Sequence, residues 1–248
     1  MKFKPALLLA LLFLGCSAGI KLVESFSEAE FSESTIFHFD EKSELNWLVS
    51  HDDQQLYVRL NTAKRTTQMK ILRAGLHLYF DANGEKNEST YLNFPVFQER
   101  RIMDSDEAGA RSRPGRPGGR GERPKFDINK TIERTQPEAV FVKNDVKETF
   151  NYLEKDSDIL IIMSGDTADV FHLMSAIPLN KIFPEGKKQS SKLSVGIVSG
   201  AFEIPVRPGG GMPGQGRNAP GGNQRMAEMQ KRMAEMAEAV KIWAQIKL

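Results

Sequence analysis

The sequence predicts an all-β fold, an antiparallel β-sandwich of the jelly-roll kind. Ten short runs rich in β-branched and aromatic residues follow one another, with turn residues between them. Strands that alternate with long amphipathic helices, the pattern of a doubly wound α/β fold, are missing. Short strands in this number are typical of a sandwich. The predicted strands are 36–40, 55–61, 76–81, 91–96, 139–143, 148–153, 159–163, 171–177, 192–198 and 240–248.

The first fifteen residues have the features of a secretion signal. Lys2 and Lys4 form a basic start, residues 6–14 are apolar, and the small Gly15 precedes the expected cleavage site. The apolar run is too short for a membrane-spanning helix, which needs roughly 18 to 20 residues. We therefore predict a signal peptide at residues 1–15.

The sequence "LLFLGC" at residues 11–16 places the single cysteine of the chain directly after this signal. It resembles the lipobox of bacterial lipoproteins, although Phe13 stands where Leu is preferred. The resemblance implies cleavage before Cys16, acylation of its sulfur and attachment to a membrane. A cysteine near an ordinary cleavage site by chance is the alternative. We expect a lipid-anchored protein of the bacterial cell envelope, in the outer membrane because Ser17 is not an acidic retention signal.

The charge balance and the cysteine count exclude several classes of function. Removal of residues 1–15 takes away Lys2 and Lys4, so that 34 basic residues become 32, against 32 acidic residues. A formally neutral chain does not attract nucleic acid by its bulk charge, and we expect none as a partner. With Cys16 acylated, no cysteine is left for a disulfide, a zinc site or a thiol nucleophile. We expect no cofactor.

Composition divides the rest of the chain into a tether and one domain. Residues 16–34 are polar and acidic and are predicted to be a tether, and residues 35–248 are predicted to form the sandwich. Two segments rich in Gly, Pro and Arg, at about 104–126 and 206–239, contain Gly/Pro runs that cannot form a core and are predicted to be disordered insertions. β-like sequence resumes after each, so we expect both to be loops of the sandwich.

Four pieces of sequence resemble one superfamily of β-sandwiches. They are "NWLVSHDDQQLYVRL", "GLHLYFDANGEKN", "FHLMSAIPLNKI" and "KLSVGIVSGAFEI". Together they resemble the DOMON-like superfamily and, within it, the family-nine carbohydrate-binding modules, with Trp47, Asp53, Asp81, Gly84 and Pro178 at matching positions. The resemblance implies a sandwich with a short helical turn after the "AIP" strand. Bacteroidota lipoproteins of unknown role look similar, down to a Gly-rich insertion before a final "KIW" strand.

The resemblance also makes the two tryptophans of the chain candidates for ligand binding. Modules of this family bind sugars by stacking tryptophan rings on them, which implies such a role for Trp47 and Trp243. Trp47 lies at the start of a strand and Trp243 inside the last strand. Ordinary packing of a large half-buried ring is the alternative for each.

Four methionines before the last strand recur at helical spacing. Met226, Met229, Met233 and Met236 alternate spacings of three and four in a segment rich in Ala and Glu, which predicts one short amphipathic helix. The methionines could pack against the sandwich or a partner. Alternatively, their soft sulfur atoms could bind Cu(I), since Met-x-x-Met places two of them on one helical face.

Two local patterns predict where the chain turns. Asn83-Gly84 predicts a turn between strands, because both residues accept a positive φ. Calcium binding by the oxygen atoms of Asp81, Asn83 and Glu85 is the alternative, but Gly84 comes too early for an EF-hand loop. Residues 66–74 predict one or two helical turns that end at a glycine.

The sequence contains no recognisable catalytic constellation. The four histidines are scattered, the Ser-Gly segments do not form a nucleophile elbow, and no pair of carboxylates can be singled out. We therefore expect a non-catalytic binding or accessory module, not an enzyme, with a glycan as the first ligand class. Cu(I) handling through the Met-rich helix and a structural role in binding another envelope protein are the alternatives.

Overall fold

Two β-sheets packed face to face form the fold, in a computed structural model that describes residues 20–23, 25–32, 35–96, 126–183, 192–202 and 222–248. This confirms the predicted all-β sandwich. The strands are β1 (Lys21–Val23), β2 (Phe26–Ser27), β3 (His38–Asp40), β4 (Leu45–His51), β5 (Gln55–Thr62), β6 (Leu76–Asp81), β7 (Thr90–Phe94), β8 (Glu138–Lys143), β9 (Val146–Asn151), β10 (Leu160–Gly165), β11 (Phe171–Pro178), β12 (Leu193–Ser199) and β13 (Lys241–Ile246).

The strand order defines a seven-stranded and a six-stranded sheet. The first has the order β1-β13-β12-β6-β7-β8-β9, and the second has the order β10-β11-β5-β4-β2, with β3 also paired to β4. Among the described strands, pairing is antiparallel except at β1 and β2, which run parallel to β13 and β4. Each predicted run contains a strand, and β1, β2 and β4 are additional to those runs.

Alternation of apolar and polar side chains explains why these runs form strands with one buried face. On β5, Leu56, Val58 and Leu60 are buried, and the residues between them are half-buried on the opposite face. The same period places Phe94 of β7 and Phe171 of β11 in the core between the sheets. Burial of these side chains supplies the main driving force for folding.

Four α-helices cover the described connections: α1 (Arg65–Ala74), α2 (Ile128–Glu133), α3 (Leu179–Ile182) and α4 (Gly222–Ala237). The predicted helix before a glycine is α1, which ends at Gly75 with φ of 87°. The turn implied after the "AIP" strand is α3, and the predicted Met-rich helix is α4. Sequence patterns did not predict α2, whose first turn is capped by the Asp127 carboxylate accepting a bond from the Lys130 N–H at 3.1 Å.

The segment predicted to be a tether belongs in part to the sandwich. β1 pairs with β13 at the edge of the seven-stranded sheet, and β2 pairs with β4 in the six-stranded sheet. After β2, Glu28 pairs with Arg59 of β5, and the Arg59 guanidinium lies 4.0 Å from the ring centre of Phe31. The predicted domain boundary at residue 35 is therefore corrected, because strand pairing begins at Lys21. The polar composition of this segment hid two strands that are too short to show a period.

Both predicted insertions connect strands that are neighbours in the seven-stranded sheet. One lies between β7 and β8, the other between β12 and β13, where it includes α4. Their residues 104–125 and 206–221, like the predicted signal peptide and Cys16, lie outside the described residues. In the part of the chain that is described, no helix has the length and apolarity needed to cross a membrane.

Candidate ligand-binding face

Four rings lie side by side on the outer face of the seven-stranded sheet. Every second side chain of β6, β7 and β13 points away from the core, and four of these carry rings: His77, Tyr79, Tyr91 and Trp243. All four are half-buried, whereas alternate residues such as Leu78 are fully buried in the core. We call these four residues the aromatic face.

The strand register brings three of these rings into one row. Tyr79 of β6 lies opposite Tyr91 of β7 and, on its other side, opposite Gly196 of β12. Gly196 in turn lies opposite Trp243 of β13. His77 lies two residues before Tyr79 on the same face of β6. The row therefore crosses four adjacent strands, with glycine in the place where a side chain would separate the rings.

Distances between ring centres show that the rings form one continuous surface. The Tyr79 and Trp243 rings are 5.8 Å apart with an angle of 17° between their planes. Tyr79 and Tyr91 are 5.4 Å apart, and His77 lies 5.8 Å from Tyr79 and 5.6 Å from Tyr91. These separations lie in the range at which aromatic pairs attract each other. The aromatic face is thus held in place by its own ring contacts.

Gly196 allows the Trp243 ring to lie flat on the sheet. A Cβ atom at this position would be 2.8 Å from both Cε2 and Cζ2 of the Trp243 indole. Such a distance is far below an ordinary contact of about 3.5–4.0 Å. The absence of a side chain at Gly196 is therefore what brings Trp243 close enough to stack with Tyr79.

The aromatic face carries little charge of its own at neutral pH. Burial lowers the pKa of the His77 imidazole, which therefore stays neutral at pH 7, and burial raises the pKa of the Tyr79 hydroxyl. The negative charge of Glu88 raises the pKa of both groups. For His77 this effect is smaller than the lowering by burial. Asn93, two residues after Tyr91 on β7, adds a half-buried amide to this face. The result is a face without a charged ring, in which the planes of Tyr79 and Trp243 are near parallel and that of Tyr91 is tilted by 54° to Tyr79.

The two predicted tryptophans lie in different sheets. Trp47 of β4 is 5% exposed and belongs to the core between the sheets, where its ring lies 4.6 Å from that of His38. This burial corresponds to the packing alternative, and it leaves no ring face open to a sugar. Trp243 is half-buried on the outer face, in the row with Tyr79. The structure thus does not bring the two tryptophans together.

The predicted thioether ligands lie on α4. Met233 is 42% exposed and Met236, one turn later, is half-buried. Met226 and Met229 belong to the same helix, but their side chains lie outside the described part of the structure. The Met236 carbonyl accepts a bond from the Phe202 N–H at 3.0 Å, which fixes the end of α4 to the chain after β12. Cys16, the predicted lipidation site, lies outside the described residues.

The Asp81 carboxylate organises the turn after β6. Its carboxylate accepts bonds from the N–H groups of Asn83 at 2.9 Å, Glu85 at 3.0 Å and Asn87 at 3.2 Å. Gly84 has φ of 77°, so the predicted Asn-Gly turn is confirmed. Across the described ranges, no group of three or more His, Cys, Asp or Glu residues is placed to hold a metal ion.

Three members of the aromatic face were not predicted from the sequence. His77 and Tyr79 alternate with buried residues in "LHLYFD", and Tyr91 does so in "TYLNF", so the period-two pattern does assign them to an outer face. The pattern does not reveal that β6, β7 and β13 lie on the same sheet, within a group of four adjacent strands. The missing information was the strand order.

Fold and face together define a class: a β-sandwich that presents a row of aromatic rings on an outer sheet face. Comparison with protein-family models finds no match. Comparison with curated proteins finds none. Among solved structures, the chain is similar to a carbohydrate-binding module of family 9 (CBM9) from Caldicellulosiruptor kristjanssonii in complex with glucose. Identity is 10%, coverage is 92% of this chain and 95% of that chain, and the TM-score is 0.34. The assignment to the sandwich class rests on the strand pairing described above.

Proposed function

We propose that this protein is a non-catalytic binding module that holds a glycan on the aromatic face. The observation that carries the proposal is the row of Trp243, Tyr79 and Tyr91, which is half-exposed on a rigid sheet. Large aromatic rings on a solvent-facing sheet are typical of binding surfaces, because they offer much contact area at a low cost in conformational entropy.

The chemistry of the surface supports a sugar as the ligand. A sugar ring has an apolar face of C–H groups and a rim of hydroxyls, so it needs a flat apolar surface with hydrogen-bonding groups beside it. The near-parallel rings of Tyr79 and Trp243 supply the flat surface. The Tyr79 hydroxyl, the Asn93 amide and the nearby Glu88 supply polar groups. The neutral state of His77 removes a charge that would otherwise have to be desolvated on binding.

Substitution of Trp243 tests the proposal. Calorimetric titration of the purified full chain with neutral oligosaccharides should show binding. The Trp243→Ala variant should bind them more weakly. Truncation of a central aromatic residue costs about 2 kcal/mol or more, or about thirtyfold in Kd. The matched control is Trp47→Phe, which changes the other tryptophan but leaves the aromatic face intact, and it should bind like the wild type. Equal affinity of Trp243→Ala and wild type would refute the proposal.

A second candidate function is Cu(I) binding by α4. It is favoured by Met233, a large soft side chain that remains 42% exposed on a helix, with Met236 one turn away. Cu(I) added to the same titration should bind to the wild type and not to Met233→Leu, whereas neutral sugars should bind to both. If neither sugars nor Cu(I) bind and crosslinking in cells recovers a protein partner, a structural role in binding another envelope protein replaces both candidates.

We also infer that Cys16 anchors the protein to a membrane of the bacterial cell envelope. The inference is supported by the "LLFLGC" pattern and by the position of Cys16 five residues before β1, a distance of at most about 18 Å in an extended chain. A lipid there would hold the β1 edge of the sandwich close to the membrane. Intact mass spectrometry of the protein from bacterial membranes should show an acylated chain without residues 1–15, and Cys16→Ser should abolish the modification. An unmodified wild-type chain would exclude it.

A further inference from the structure

A cavity of about 480 Å³ lies between α1, α4 and the turn that joins β3 to β4. It is lined by Ser43 of the turn, by Thr66, Thr67 and Lys70 of α1, and by Glu235 and Glu238 at the end of α4. None of these residues belongs to the aromatic face. The cavity is large enough for a small molecule or for one substituent of a larger molecule.

Lys70 is the unusual residue of this cavity. It is only 7% exposed, and no hydrogen bond or ion pair joins its ammonium group to any described residue. Burial lowers the pKa of the Lys70 amine. The stem of this side chain is buried, while its ammonium group is not enclosed by the protein and faces the cavity. The Lys70 ammonium group can therefore donate hydrogen bonds to a ligand in the cavity, because no described residue accepts them.

The first turn of α1 provides further hydrogen-bond donors beside this cavity. The N-cap residue, Lys64, makes no capping bond with its side chain, and the first turn contains no acidic residue. Among the described residues, the N–H groups of Thr66 and Thr67 have no acceptor. Lys70 follows Thr66 by four residues and Thr67 by three, a spacing that places the three residues on one face of α1, and all three line the cavity.

The other charges around Lys70 are mostly paired with each other. Lys42 and Lys64 repel the Lys70 ammonium, and Glu235 and Glu238 attract it. Glu238 is bonded to Lys42, and Lys64 is paired with Glu44 at 3.1 Å. The carboxylate of Asp40, also on the cavity wall, accepts bonds from Ser43. Glu235 is the remaining acid of the cavity wall and opposes the binding of an anion.

We propose that this cavity binds a small oxyanion, a phosphate or carboxylate group, between the Lys70 ammonium and the first-turn N–H groups of α1. Both sets of donors are then satisfied by one ligand group, as at other helix N-termini that bind anions. The site is separate from the aromatic face, so the proposal does not depend on glycan binding there.

Titration with sodium phosphate and with sodium acetate, each at ionic strength matched with NaCl, tests the site on the full chain. Amide NMR should show the largest shifts at residues 65–67, and the more tightly bound anion identifies the ligand group. Lys70→Met should bind at least about tenfold more weakly. Glu235→Gln, which removes the opposing charge, should bind about two- to fivefold more tightly.

The control is Lys155→Met, which makes the same change of net charge at an exposed turn residue far along the chain. It should bind the anion like the wild type, and so exclude bulk charge and general salt effects. Lys70→Met should fold and melt like the wild type, because it keeps the length and the buried stem of the side chain. Absence of binding of both anions to the wild type overturns the proposal. The proposal is also overturned if Lys70→Met binds the anion as tightly as the wild type, or if Glu235→Gln leaves the anion affinity unchanged.

Discussion

Asp52, between β4 and β5, organises the turn of this hairpin with one carboxylate. Its oxygens accept bonds from the N–H groups of Gln54 at 2.8 Å and Gln55 at 2.7 Å, and from the Tyr57 hydroxyl at 2.8 Å. The bond from Gln54 contributes most to holding the pKa of the Asp52 carboxyl below its ordinary value, with further contributions from Tyr57 and Gln55. Burial first, and then Asp52, raises the pKa of Tyr57 to about 12.

The lowered pKa of Asp52 predicts how the stability of the hairpin depends on pH. The folded state prefers the carboxylate, so its stabilisation is present above the ordinary pKa and is lost as the pH falls through the lowered value. Asp52→Ala should therefore lower the free energy of unfolding by about 1 kcal/mol at pH 7, after allowance for solvent screening. In urea unfolding at about pH 2.5, the difference from wild type should be much smaller.

The neighbouring residue supplies the control for this prediction. Asp53 is exposed, and Asp53→Ala should leave the free energy of unfolding unchanged at both pH values. A loss of stability in Asp52→Ala that is as large at pH 2.5 as at pH 7 would mean that the ionised carboxylate is not what stabilises the turn.

The strand β12, which lies between β13 and β6, decides the shape of the aromatic face, although it contributes no ring. Gly196 lets the Trp243 ring lie over the strand and stack on Tyr79. On the other face of β12, Val195 and Ile197 are buried in the core, so the backbone cannot move away to make room. A side chain at position 196 must therefore displace the indole ring and not the sheet.

Gly196→Ala should separate the rings while leaving the sandwich folded. The added methyl group forces Trp243 away from Tyr79, which should change the tryptophan fluorescence and weaken glycan binding about tenfold or more. The control is Ser194→Ala, two residues earlier on the same face of β12. The buried Ser194 hydroxyl has no hydrogen-bond partner among the described residues, so this change should be neutral or stabilising. Unchanged fluorescence and affinity in Gly196→Ala would contradict the role of the glycine.

The N-terminal segment joins the two sheets of the molecule. β1 extends the seven-stranded sheet and β2 the six-stranded sheet, with only two residues between them. The segment buries Val23 in the core. It also provides Glu28 as the partner of Arg59, whose side chain is only 13% exposed. Without the segment, Arg59 would lose its carboxylate partner and retain the bond that it donates to the Ser50 hydroxyl at 2.7 Å.

Removal of this segment should destabilise the whole sandwich. A chain that begins at residue 35 loses the burial of Val23 and the Glu28–Arg59 pair, at least about 3 kcal/mol together. At about 2–4 °C per kcal/mol, its Tm should fall by about 6 °C or more. A chain that begins at residue 20 keeps both strands and should melt like the full chain. Equal Tm values for the two truncated chains would show that the segment is a tether after all.

The sequence determined the local elements of this protein because their signals are local. Alternating side chains identified ten of the strands, Asn83-Gly84 identified the turn after β6, and methionine spacing identified α4. Burial on one face gives each of these patterns its period, so the pattern can be read without knowing what the face packs against. The short strands β1 and β2 have too few residues to show a period, and β4 is buried at four consecutive positions, from Trp47 to Ser50, so its burial does not alternate.

Only the tertiary structure decided which residues meet. Trp243 and Tyr79 are more than 160 positions apart in sequence, and they stack because β12 lies between β13 and β6 and contributes a glycine there. Lys70 and Glu235 face one cavity because α4, inside the second insertion, packs against α1. Such contacts depend on the strand order and on the course of long loops, which the period of a single strand or helix does not encode. The sequence thus determined the sandwich and its elements, and the order of its strands decided where a ligand can bind.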